Sequence, residues 1–144
     1  MFFASRHEVW ADPIGGVDWT RNDDWGIEHN LRWERNGMIK EQLQKGGDVC
    51  YRSSGNSMYP TVKSNDLCEF APFPEAASAG DIQEGDIVFC EVQPGNRFYA
   101  HFVLRKDYDV YRGEWYCTIG NKDGHENGWA YMETIYGRLV YAGA

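Results

Sequence analysis

Ser57 is the residue around which chemistry can be built. It stands in the string Gly55-Asn56-Ser57-Met58-Tyr59-Pro60-Thr61. A serine hydroxyl is a weak nucleophile until a neighbouring base takes its proton, and acyl chemistry also needs donors where the oxyanion develops. Gly55, two residues earlier, permits a tight turn with room for a substrate. Backbone N–H groups around Asn56 and Ser57 can then point at developing charge, so Gly55, Asn56 and Ser57 form the expected oxyanion turn. Pro60 fixes the exit direction of the chain, and Met58, Tyr59 and Pro60 are expected to border a substrate groove. A base follows 44 residues later, in Phe98-Tyr99-Ala100-His101-Phe102-Val103-Leu104. Strand alternation places Tyr99, His101 and Val103 on one face and Phe98, Ala100 and Phe102 on the other. An unperturbed imidazole titrates near ~6.5, so His101 can act as a general base close to neutrality.

Other residue types with reactive potential are weaker. His125 with Asp123 and Glu126 has metal-ligand chemistry, but Gly120, Gly124 and Gly128 around it read as a solvated loop. Cys50, Cys68, Cys90 and Cys117 contain no CxxC pair, which argues against a zinc ribbon. Each lies in an apolar or strand-like stretch and reads as a buried, reduced thiol. No metal and no cofactor is expected.

The elements that must position Ser57 and His101 are mainly β. Residues 1–30 are polar and tryptophan-rich, with Trp10, Trp19 and Trp25 among Asp, Gly and Asn. They read as an irregular extension whose aromatics dock on the domain or on a protein partner. Residues 31–45 read as one short helix, with Leu31, Met38, Ile39 and Leu43 as its apolar stripe and Gly46-Gly47 as its stop. From 46 to 144 the pattern is strand and turn. Strands are predicted at Val49–Ser53, Asp66–Ala71, Asp86–Val92, Tyr99–Lys106, Trp115–Ile119 and Ile135–Tyr141. Pro94-Gly95-Asn96 signals a hairpin, and residues 72–80 read as a loop or short helix.

The chain has 144 residues, 42% of them hydrophobic and 15% aromatic, with a formal charge of −8. This fits one globular domain with a real core. The acidic balance argues against nonspecific nucleic-acid binding, and no stretch approaches the ~20 apolar residues of a membrane-spanning helix.

Five ordered segments resemble a serine peptidase clan that includes type I signal peptidases and LexA-like self-cleaving repressors. Gly55–Thr61 resembles the clan's nucleophile box, commonly written GxSMxPT. Asp81-Ile82-Gln83-Glu84-Gly85-Asp86-Ile87-Val88-Phe89 is similar to its second segment, in which a GDIV-type strand follows. Tyr99-Ala100-His101-Phe102-Val103 occupies the place of the general base. Bacterial signal peptidases and LexA-like proteins use lysine there, whereas the endoplasmic-reticulum and archaeal branch uses histidine, as here. Thr118-Ile119-Gly120-Asn121-Lys122-Asp123 resembles the TKGDN segment, and Ile135-Tyr136-Gly137-Arg138-Leu139-Val140 resembles the closing strand. Asn121, Asn127, Gly128 and Trp129 resemble a GN-x-NGW arrangement of soluble phage- or bacteria-encoded relatives.

The resemblance covers residues 46–142. It implies a LexA/signal-peptidase-like folded β-sheet over 31–144, with Ser57 as nucleophile and His101 as base. The aspartate of the GDN segment is Asn121 here. That leaves Asp123 or Glu126 to orient His101, or a Ser/His dyad. The implied activity is a soluble serine endopeptidase acting on few protein or peptide substrates, its own chain or phage proteins among them, in the cytoplasm of a bacterial host. Ala77-Ser78-Ala79-Gly80 carries the small-x-small pattern that signal peptidases cut after, which offers self-processing between Ala79 and Gly80. Residues 1–30 could also cover the groove as a built-in inhibitor. The competing reading is a catalytically silent binding or structural module that retains the fold. A LexA-like repressor would need a helix-turn-helix, and none is read in residues 1–45.

Overall fold

The computed structural model describes residues 6–8, 25–53, 55–73 and 82–144. The described elements run β1 (Arg6–Glu8), α1 (Trp25–Gln44), β2 (Asp48–Arg52), β3 (Leu67–Pro72), β4 (Ile87–Val92), β5 (Arg97–Asp109), β6 (Glu114–Gly120), β7 (Glu126–Tyr131) and β8 (Ile135–Gly143). A 3₁₀ turn at Met132–Thr134 joins the last two strands. The strands form one sheet in the order β1-β2-β3-β8-β4-β5-β6-β7. Every pairing is antiparallel except the parallel contact of β1 with β2. The described residues are mainly β with one α-helix, as the composition of β-branched and aromatic residues implies.

Ile87-Val88-Phe89-Cys90 is apolar at every position because β4 is covered on both faces. Ile87 and Phe89 enter one core with Tyr51, Phe70 and Tyr136. Val88, Cys90 and Val92 enter a second core with Val103, Cys117 and Ile119. A strand covered on both sides reads as a continuous apolar run rather than an alternation. The first core is closed by Ile39 and Leu43 of α1, one helical turn apart and fully buried, so the i, i+4 spacing meets the sheet as one ridge. Its aromatics interlock: Phe89 stacks on Phe98 at 5.7 Å and meets Phe70 edge-on at 6.4 Å. Such pairs add about 0.5–1.5 kcal/mol each beyond their burial. The second core receives Tyr99 and Val103, while Phe98, Ala100 and Phe102 pack on the first. The two faces of β5 therefore divide as its alternation predicts.

Three features differ from the sequence reading. Residues 1–30 are not wholly irregular: β1 lies in them, and α1 begins at Trp25 rather than near residue 31. Once the stronger helix-forming segment nucleates, each added residue gains a hydrogen bond for little further entropy, which carries α1 through Gly26 and Asn30. Its stop is where the two glycines predict, with Gly46 N–H bonded to the Leu43 carbonyl and Gly47 N–H to the Gln42 carbonyl, the bond pattern of a Schellman closure. Finally, the expected solvated loop around His125 is in part a strand. β7 is an edge strand that fully buries only Ala130, so it lacks the alternating apolar signal.

Candidate functional site

The turn carrying Ser57 links β2 to β3. Gly55 at its start has φ +81°, a left-handed conformation that side chains rarely adopt, and a Cβ there would meet open space. The backbone, not crowding, therefore demands glycine. The turn closes on itself with Tyr59 N–H to the Asn56 carbonyl at 3.1 Å and Val62 N–H to the Met58 carbonyl at 2.9 Å. Buried Val62 and the Met58 side chain hold it on the first core. Ser53 braces its far side, giving its hydroxyl to the Lys63 carbonyl at 2.8 Å. Ser57 is left at the rim with its carbonyl taken by Lys122 N–H at 2.9 Å. Among the described residues the Ser57 and Met58 N–H groups donate to no backbone acceptor.

β5 brings His101 to this rim. Ser57 Oγ lies 2.9 Å from His101 Nε2, and His101 Nδ1 lies 2.6 Å from Asn127 Oδ1. An amide oxygen only accepts, so Nδ1 carries the ring proton and Nε2 presents its lone pair to the serine hydroxyl. Burial pushes the imidazole below its ordinary range, partly offset by the Asn127 bond, so the ring is neutral at pH 7. Tyr99 stacks on the imidazole, with centroids 5.1 Å apart and planes at 28°. Arg97 holds both neighbours: it donates to the Tyr99 hydroxyl at 3.2 Å and to the Asn127 carbonyl at 2.5 Å.

Asn127 reaches His101 through a bulge. Ile119 pairs with Gly128 and Gly120 with Glu126, which leaves Asn127 as an extra residue opposite one peptide of β6. Bulges redirect side chains in this way. Gly128 makes the bulge possible. Its φ is +148°, and a Cβ there would lie 2.1 Å from the Gln93 carbonyl oxygen, beside the paired bonds between Gln93 and Trp129.

The other sequence candidates have separate places. The Asp123 carboxylate pairs with Lys122 at 3.4 Å and is 73% exposed. Glu126 pairs with Arg105 at 2.8 Å. Neither is the group bonded to His101. Asn121, at the GDN aspartate position, folds its own loop by accepting from Asp123 and His125 N–H. Asn127 was missed because Asn-Gly reads as a turn; the signal was its Gly128 neighbour and the surrounding GN-x-NGW string. No three His, Cys, Asp or Glu among the described residues are grouped to hold a metal ion. The four cysteines are buried and unbridged, and burial lifts the Cys68 and Cys117 thiols to about 11.

A cavity of about 220 Å³ opens beside Ser57 and His101, with Met58, Phe89, Phe98 and Ala100 as its apolar wall. Tyr59 and Pro60 stand exposed on the same turn and do not line it. Ala79, Gly80 and most of residues 1–24 lie outside the described residues. The expectations of self-processing after Ala79, and of groove covering or partner docking by the tryptophan-rich extension, fall on those residues. Among the described residues no helix is long and apolar enough to cross a membrane. Comparison with family models, curated proteins and solved structures finds no match.

Proposed function

We propose that the chain is a serine peptidase of the LexA/signal-peptidase type that cleaves a restricted set of protein or peptide substrates. The observation that carries this reading is the bonded series Ser57 Oγ, His101 Nε2, His101 Nδ1, Asn127 Oδ1 at 2.9 and 2.6 Å. Nucleophile, base and orienting group are all within the reach that acyl transfer requires. In the reaction, His101 Nε2 takes the Ser57 proton as Oγ bonds to the scissile carbonyl carbon. The oxyanion faces the backbone N–H groups around Asn56 and Ser57. Collapse breaks the C–N bond, and His101 returns the proton to the leaving amine. A water, deprotonated by His101, then attacks the acyl ester and Ser57 recovers its proton.

A silent binding module draws on one observation: Asn127 is neutral and gives the imidazolium no countercharge. Labelling with a fluorophosphonate separates the two. Wild-type protein becomes covalently labelled at Ser57, and Ser57→Ala and His101→Ala lose the label while keeping their folded circular dichroism. A folded wild type that stays unlabelled from pH 6 to 9 establishes the silent module instead.

A further inference from the structure

Arg97 opens β5 as the chain leaves the Pro94-Gly95-Asn96 turn, and its guanidinium uses all three nitrogens. Nε donates to the Pro94 carbonyl at 3.1 Å, Nη1 to the Tyr99 hydroxyl at 3.2 Å and Nη2 to the Asn127 carbonyl at 2.5 Å. The first two bonds fix the side chain against its own hairpin. The third crosses to β7, 30 residues further along the chain. Asn127 has no Cα partner in the register between β6 and β7. A bulge interrupts the ladder at such a residue, and here the guanidinium gives the bulged carbonyl a donor. A planar fork can serve several acceptors from one rotamer, which a lysine ammonium on its flexible stem does not match.

The two residues that Arg97 holds are the two that hold His101. Tyr99 stacks on the imidazole at 5.1 Å, and Asn127 Oδ1 takes the Nδ1 proton at 2.6 Å. A neutral imidazole has a single N–H, so its place decides what the other nitrogen can do. With the proton on Nδ1, Nε2 offers a lone pair to Ser57 Oγ at 2.9 Å. With the proton on Nε2, the ring would donate to Ser57 and could not accept from it. Asn127 imposes the first arrangement only while it stays within reach. The bonds between Gln93 and Trp129 hold β7 two residues away; Arg97 anchors Asn127 itself.

We infer that Arg97 is a positioning residue of the serine–histidine pair: it keeps Asn127 and Tyr99 against the imidazole and thereby keeps the ring proton on Nδ1. Its catalytic meaning rests on the peptidase reading, but the tautomer is measurable without any turnover.

Arg97 is exposed and belongs to neither core, so its variants should keep the fold, checked by circular dichroism. Nitrogen NMR shifts of the His101 ring, assigned by comparison with His101→Ala and recorded above neutrality, report which nitrogen carries the proton. Fluorophosphonate labelling of Ser57 is followed beside them. Wild type should hold the proton on Nδ1. Arg97→Ala should show a mixture with the Nε2 form and should label roughly tenfold more slowly, the scale of a small misplacement. Arg97→Lys keeps the charge without the fork and should follow Arg97→Ala. An unchanged tautomer in Arg97→Ala overturns the inference, whatever the labelling rate. Wild-type behaviour of Arg97→Lys also overturns it, because charge alone would then be the agent. If wild type takes no label but Arg97→Ala still moves the proton, the positioning role stands and the peptidase reading falls.

Discussion

Asn127 gives His101 an acceptor without a charge. The imidazole is held in the tautomer that leaves Nε2 basic, but nothing in that bond attracts a proton to the ring as a carboxylate would. Burial meanwhile lowers its affinity for protons. The sign follows directly: His101 stays neutral, and so competent as a base, to a pH below its ordinary ~6.5. The Ser57 labelling rate should hold level from neutrality to below that value and fall only under it. In Asn127→Asp the added negative charge stabilises the imidazolium, so the falling limb moves to higher pH. Asn127→Ala frees the ring to rotate and should slow labelling on the order of 10²-fold, the cost of ~1 Å misplacement of a reacting group. An Asn127→Asp profile identical to wild type would show that the bond does not govern the base. Ser57 and His101 were legible because each carries its meaning in its neighbours, a Gly-Asn turn and an apolar strand. Asn127 was not, because its role is created by pairing with β6 and not by its own surroundings.

β7 converts a register irregularity into the position of a side chain. Gly128 lies against the Gln93 carbonyl, and Gln93 is held by Trp129 through bonds of 2.7 and 3.0 Å. Gly128→Ala should therefore push β7 away from the end of β4 and withdraw Asn127 from His101. Labelling should drop roughly tenfold or more, the scale of a small misplacement. Thermal stability should fall as well, because the added Cβ meets backbone at a strained φ, so labelling is compared at a temperature where both proteins are folded. A Gly128→Ala protein with full labelling would place the closure elsewhere. The strands with β-branched and aromatic alternation were visible in the sequence. β7 and the N-terminal half of α1 were not, since edge pairing and helix propagation are settled by backbone bonds rather than by apolar spacing.

At the scale of the whole molecule, the two cores share β4. Phe89 is fully buried between Phe70, Phe98 and Tyr136. Phe89→Ala removes a ring from this junction and should cost about 3–5 kcal/mol of stability, measurable by urea unfolding. A loss under about 1 kcal/mol would mean that the first core collapses around the gap. The mainly β class and the double burial of β4 followed from composition and one apolar run, whereas the strand order did not, because nonlocal pairing leaves no local trace. That order has a consequence during synthesis. Ser57 belongs to the β1-β2-β3 side, and His101 and Asn127 belong to β4 through β7. Among the described strands, only β8 is hydrogen-bonded to both sides, and it follows all the others in the chain. A ribosome-bound chain that has not yet released β8 carries all three groups, but no sheet joins them. On the peptidase reading proposed above, Ser57 and its base are joined through the sheet only once β8 docks.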